Sequence, residues 1–357
     1  MSKKKHEKSL FRIYLEFIPF WVLYQFIHLL PLKTGYRLSG FLFRLLMVVD
    51  RRHRNRTIQH LMHAGMVRDK AEAKRFATRS IQEFSKLLVE IVKMDQLYSP
   101  SKIIRAGSPE TIDFALSPDK ENGQVIIITA HYGNWEVAGT AFSELARRPM
   151  TSFMRPFGNP LIGKMILNHR AGSMHELVDK REGIRPILRA AAKKRNITML
   201  IDQHAAGSEG VECEFFGHPA RVHMTPALLH LKTGLPILPE VTRRVPGEDF
   251  RFELVVGDLI RYTPTGDKNR DVQAITQLCI SALEKLIREA PEQWLWAPRH
   301  WLDINRREAE KYRDWKPSLP PQKPAAAGKT SLPPQKPAAA GEPASATAQG
   351  VSGKPER

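Results

Sequence analysis

Gln124–Gly139 reads QVIIITAHYGNWEVAG. Val125–Thr129 is a short, β-branched apolar run, which predicts a strand buried on both faces. Tyr132, Gly133 and Asn134 follow His131 as turn residues, with Asn134 placed to cap a helix that starts at Trp135 and runs to Ala146. A strand, a polar turn and a helix start form the layout in which an α/β protein sets functional groups at the carboxyl end of its sheet.

His131 and Glu136 are the first candidate pair. Five residues apart on one continuous helix, they would point about 140° away from each other. With His131 in the turn and Glu136 in the first helical turn, the carboxylate reaches back to one ring nitrogen. That bond would fix the tautomer and stabilise the imidazolium formed when the other nitrogen takes a proton. The competing reading is a satisfied turn histidine beside a carboxylate that favours the helix dipole.

Beyond this stretch the chain alternates strands and helices. Strands are predicted at Ser152–Met154, Ile197–Ile201, Ile237–Val241 and Phe250–Val256, so the fold class is α/β, a mixed central sheet flanked by helices. Ahead of it, Ala73, Phe76, Ala77, Ser80, Ile81, Phe84, Leu87, Leu88 and Ile91 recur at helical spacing, giving one long helix over Asp69–Asp95. Tyr36–Val49 is a second, amphipathic to apolar helix.

Residues 1–9 are lysine-rich, and 10–31 form an apolar, aromatic segment long enough as a helix to match a hydrocarbon core. Arg12 and Glu16 lie one helical turn apart and can pair near an interface. A charge at mid-membrane costs about 2.5–3.5 kcal/mol, so deep insertion is penalised. The segment reads as a membrane anchor, spanning or interfacial, and its competing reading is a buried core helix. No A-x-A site follows, so a cleaved signal is not expected. The leading lysines and the run DRRHRNR at Asp50–Arg56 favour the cytoplasmic face of a membrane.

Residues 32–315 are then the catalytic-size domain, and 316–357 a Pro/Ala-rich tail in which SLPPQKPAAAG occurs at Ser318–Gly328 and Ser331–Gly341. Such a composition cannot bury enough apolar area to offset its ordering entropy, so disorder is expected. Over 357 residues the formal net charge is +18, from 55 Lys+Arg against 37 Asp+Glu, which favours anionic partners. No nucleic-acid motif accompanies that charge, and no nucleic acid is expected as a partner. Cys213 and Cys279 make no disulfide framework. His204, Cys213, His218 and His223 fit no zinc spacing, so no metal is expected.

The blocks HYGNWE (His131–Glu136), RPFGNP (Arg155–Pro160), Asp202-Gln203 with Phe215-Phe216-Gly217, and PEQWLW (Pro291–Trp296) occur in that order. Together they resemble the lipid A late-acyltransferase branch of the glycerolipid and lysophospholipid acyltransferase superfamily, whose signature is H-x4-[DE]. The resemblance covers roughly Phe11 to Asp303. Thr225 stands where members commonly have Gly, a departure in the acyl or acceptor pocket that leaves the dyad untouched.

The resemblance implies a membrane-associated enzyme that moves a fatty acyl chain from acyl carrier protein to a hydroxyl of a lipid A precursor, at the inner (cytoplasmic) membrane. It implies catalytic His131 and Glu136, with Arg155, Arg170 and Asp202 binding substrate or the oxyanion. No cofactor is expected beyond the acyl thioester donor, and the partners are acyl carrier protein, an anionic glycolipid or phospholipid acceptor, and the membrane. The absence of a G-x-S-x-G elbow fits direct transfer without an acyl-enzyme. Two other readings stand: the same chemistry on a lysophospholipid or other membrane lipid, and a non-catalytic protein bound to anionic membrane.

Overall fold

The computed structural model describes residues 9–117, 123–154, 158–168, 174–179, 182–304 and 308–315. Its helices, in chain order, are α1 (Leu10–Leu29), α2 (Leu32–Val49), α3 (Arg51–His63), α4 (Lys70–Val92), α5 (Met94–Leu97), α6 (Pro109–Leu116), α7 (Trp135–Leu145), α8 (Pro160–Asn168), α9 (Arg185–Ala192), α10 (Thr225–Thr233) and α11 (Lys268–Glu289). The strands are β1 (Ile103–Ala106), β2 (Ile126–Thr129), β3 (Met150–Met154), β4 (His175–Asp179), β5 (Asn196–Leu200), β6 (Gly210–Phe215), β7 (His218–His223), β8 (Ile237–Arg244) and β9 (Phe252–Val256).

Seven strands form one sheet in the order β1-β9-β8-β2-β5-β3-β4, and β6 pairs β7 as a separate antiparallel hairpin. All neighbours in the large sheet are parallel except β8 and β9. The mixed α/β sheet flanked by helices is therefore as the sequence predicts. β2 sits centrally and its four residues are all buried. Alternation along the strand explains this: Ile126 and Ile128 face a core shared with α3, α4 and α11, while Ile127 faces one shared with α6 and α7.

The parallel register carries the main consequence for function. Thr129 pairs with Leu200, so β2 and β5 end side by side. His131 lies two residues beyond the first end and Asp202 two beyond the second. Equal offsets on parallel neighbours place both at one point on the carboxyl edge of the sheet.

α4 opens on Asp69, whose side chain accepts the Glu72 N–H, while Glu72 accepts the Arg68 N–H, two reciprocal caps that fix its start. α1 docks against α4 through Tyr24 and Ile27 packed on Val89 and Val92, and Arg12 pairs with Glu16 at 3.3 Å. Its other face stays open: Phe11, Leu15, Ile18 and Val22 are each more than half exposed, as are Phe41, Leu45 and Val49 on α2. α1 is long and apolar enough to cross a membrane. The reading of residues 316–357 as a disordered tail falls outside the described residues.

Candidate active site

His131 leaves β2 on a turn fastened from two sides. The Gly133 N–H donates to the Gln293 carbonyl at 2.9 Å and the Asn134 N–H to the Thr242 carbonyl at 3.0 Å, while the Leu295 N–H donates to the His131 carbonyl at 3.0 Å. Gly133 has φ +54°, and a Cβ there would lie 1.9 Å from the Thr242 carbonyl oxygen. Only glycine lets the turn lie this close to β8. The PEQWLW block is thus the backbone cradle of the histidine turn, as well as a cluster of core aromatics.

Asn134 caps α7 as expected: its Oδ1 accepts the N–H groups of Glu136 and Val137 at 3.1 and 3.0 Å. Its Nδ2 donates to Glu90 at 2.9 Å. Glu90 is fully buried and holds Arg244 through two 2.6 Å bonds. Tyr36 donates a fourth bond to Glu90, and Arg244 reaches the Gly133 carbonyl at 3.2 Å. One buried ion pair therefore braces α2, α4, β8 and the histidine turn.

The carboxylate on the histidine ring is that of Asp202. His131 Nδ1–H donates to Asp202 Oδ1 at 2.8 Å, and the His131 backbone N–H donates to Oδ2 at 3.0 Å. Trp294 Nε1–H also donates to Oδ2, at 2.9 Å. This corrects the expectation that Glu136 reaches back to the ring: among the described residues, the hydrogen-bonded carboxylate is Asp202. The reason is topological. Parallel pairing of β2 and β5 delivers Asp202 to the ring, whereas Glu136 leaves along α7. Glu136 lines the same cavity and acts on His131 through its charge.

The electrostatics follow from burial and pairing. Burial alone would raise the Asp202 carboxyl, but the charge of His131 and its hydrogen bond outweigh it and hold the group down at about 2. Burial works to lower the His131 pKa, and the charge and hydrogen bond of Asp202, with the charge of Glu136, reverse this and raise it above the ordinary value. Asp202 is shut from solvent, while about a quarter of the His131 side chain is exposed. With Nδ1 committed to Asp202, Nε2 is the nitrogen left to accept a proton.

His131 borders a cavity of about 500 Å³, within the usual range of small-molecule sites. It runs between the sheet and α7, with apolar walls at Ile127, Ala138, Phe142, Phe153 and Leu200. Polar groups interrupt them. Ser152 Oγ and His175 Nε2 lie 2.5 Å apart, and Glu240 meets the cavity beside Thr129. Burial pushes the Glu240 carboxyl up to about 7 against hydrogen bonds from Thr242 and Thr129. Arg155 and Arg170 fall outside the described residues. Trp294, Glu90 and Arg244 were not singled out from sequence as site residues. For Glu90 there was a signal, a carboxylate inside the apolar stripe of α4; for Arg244 there was none.

A protein-family model described as bacterial lipid A biosynthesis acyltransferase matches residues 1–303. Two curated relatives are the phosphatidylinositol mannoside acyltransferases of Mycobacterium tuberculosis strains ATCC 25618 / H37Rv and CDC 1551 / Oshkosh. Each is 25% identical over 189 residues, which is 50% of this chain and 54% of the relative. The chain thus spans about half the length of the curated relatives it matches. With a histidine on a buried carboxylate beside a partly apolar cavity, and a family match across most of its length, this chain belongs to the bacterial lipid A biosynthesis acyltransferase family.

Proposed function

We propose that this protein is a membrane-associated O-acyltransferase that moves a fatty acyl chain from an acyl carrier protein thioester to a hydroxyl of a lipid A precursor. The observation that carries the proposal is the His131–Asp202 pair at the edge of a partly apolar cavity. His131 Nε2 takes the hydroxyl proton as the acceptor oxygen attacks the thioester carbonyl. The tetrahedral oxyanion collapses and the C–S bond breaks. The leaving thiolate takes the proton from the imidazolium, so the products are an ester and a free thiol. Asp202 holds the ring in the correct tautomer and stabilises its charge.

The N–H groups of Glu136 and Val137 are already bonded to Asn134, so they are not open oxyanion donors. Arg155 and Arg170 are the proposed groups for the oxyanion or an acceptor phosphate. Glu136 is retained in the site as a charge beside His131. A second acceptor class is favoured by the relatives, whose name specifies a phosphatidylinositol mannoside: a phosphorylated glycolipid other than a lipid A precursor.

The test is acyl transfer by purified protein in detergent, comparing acyl-loaded carrier protein with acyl-coenzyme A. Lipid A precursor, phosphatidylinositol mannoside and lysophospholipid serve as acceptors, with products read by mass spectrometry. Transfer from carrier protein to lipid A precursor is expected to dominate. Equal transfer by folded His131→Ala, or no transfer to any hydroxylated lipid, would reject the reading.

The exposed apolar faces of α1 and α2 are proposed to lie in one leaflet at the cytoplasmic face of the inner membrane, with the exposed Arg51 and Arg52 on anionic headgroups. Each basic residue near such a surface adds about 1 kcal/mol, and burying one large apolar side chain about 1.5–3 kcal/mol. Ile18→Glu combined with Leu45→Glu leaves the packed Tyr24–Val89 face untouched. It is expected to release the protein from anionic vesicles in a flotation assay, and undiminished flotation would remove the membrane assignment.

A further inference from the structure

Outside the His131 cavity, three side chains converge. His63 ends α3, His218 opens β7, and Asp303 follows the PEQWLW block. His63 Nε2 lies 3.0 Å from Asp303 Oδ1, and His218 Nδ1 lies 3.0 Å from Oδ2. The two imidazoles are face to face, with centroids 3.5 Å apart and planes 30° apart. One potential ligand atom from each residue falls within 4.8 Å of the other two.

We propose that His63, His218 and Asp303 form a binding site for a divalent transition cation of the zinc class. The donor set is two imidazole nitrogens and a carboxylate, which suits zinc chemistry. The spacing suits it too. At tetrahedral angles, two bonds of about 2.0–2.1 Å leave their ligand atoms roughly 3.3–3.4 Å apart, so the 3.0 Å N–O contacts here need to open only slightly to admit an ion. The close approach of the rings lets a nitrogen of each turn toward one centre. Side-chain exposures of 15%, 32% and 18% leave the site reachable from solvent. A water molecule would complete the tetrahedron.

The site would act as a staple. Leu302 N–H donates to the Pro219 carbonyl, and Trp301 Nε1–H to the Phe215 carbonyl at 2.7 Å, so Asp303 closes a segment already laid on the β6–β7 hairpin. His63 ties that segment to α3. Three residues before Asp303, His300 Nδ1 lies 2.9 Å from the Asp202 carbonyl oxygen, which links the staple to the backbone behind the active-site carboxylate. His63, His218 and Asp303 come from three distant segments, so sequence spacing gives no ligand pattern.

The competing arrangement is two neutral imidazoles, each donating an N–H to Asp303. Full-length protein carrying no histidine tag, stripped with EDTA and titrated with zinc chloride, separates the two. One equivalent is expected to bind and raise Tm. Asp303→Asn is expected to weaken binding about tenfold or more and abolish the Tm rise. His218→Ala, at a more exposed position, should do the same if Asp303→Asn does not fold. A visible absorption band on adding cobalt chloride to stripped wild type should report the imidazole ligands. Equal zinc binding by wild type and a folded variant, or no stoichiometric binding by wild type, overturns the site.

Discussion

His131→Ala should lower acyl transfer by about 10²–10⁴, the usual worth of a positioned general base. Asp202→Asn should fall as far, with KM nearly unchanged. An asparagine still accepts the Trp294 and His131 backbone N–H groups through its oxygen, so the fold is kept. Its amide nitrogen, however, presents a donor to Nδ1 and drives the ring to the tautomer with Nε2 protonated, which cannot accept a proton. The double variant should be little worse than either single, because the two groups act as a unit. Glu136→Gln should cost less than Asp202→Asn, since Glu136 acts on the ring through its charge rather than a hydrogen bond to it. The reverse ranking would return the orienting role to Glu136. The pH profile gives a further check. The base must be neutral, and its pKa is raised by Asp202 and Glu136. In wild type, log kcat/KM should therefore climb with pH until a pKa above the ordinary value of about 6.5. In Glu136→Gln that limb should move to lower pH, and a limb that stays in place would exclude the charge effect.

The sequence made β2 legible because a strand buried on both faces must be largely apolar, and residues 125–128 are. The turn and cap at Gly133 and Asn134 were legible for a local reason: their residue types suit backbone positions that few others tolerate. Sheet order was not. Nothing in the chain between His131 and Asp202 states that β5 is the neighbour of β2, so sequence distance alone favours the nearer carboxylate, Glu136. A usable sign was present nonetheless. His131 and Asp202 stand at the same distance past two apolar runs, which is where side-by-side parallel strands bring residues together. The hairpin of β6 and β7 escaped detection because GVECEF and HPARVH carry too few apolar residues in register, their packing being supplied by α11 and the C-terminal tryptophans.

Arg244→Met should be among the most destabilising single changes in the core, costing about 3–5 kcal/mol, because it strands the Glu90 carboxylate in a position fully shut from solvent. That is a large share of the roughly 5–15 kcal/mol that holds a typical domain together. The bonds from Tyr36 and Asn134 cannot replace a bidentate cation. Glu90→Gln with Arg244→Met removes both charges, and a buried pair replaced by neutral groups is often nearly neutral in stability. The double variant should therefore be more stable than Arg244→Met alone, a sign that simple loss of contacts cannot produce. Urea unfolding of the two singles and the double measures the coupling directly. A loss below about 1 kcal/mol in Arg244→Met would show that water reaches Glu90 and that the pair is not sealed. The effect on activity should exceed the effect on α7 content. Arg244 and Asn134 hold the turn by separate bonds to Gly133 and Glu90, so loosening either shifts His131 relative to Asp202 while the helix itself remains capped by Asn134 Oδ1. The buried pair thus serves as the mounting of the proposed general base, set where Arg244 of β8, held by Glu90 of α4, donates to one carbonyl of the His131 turn.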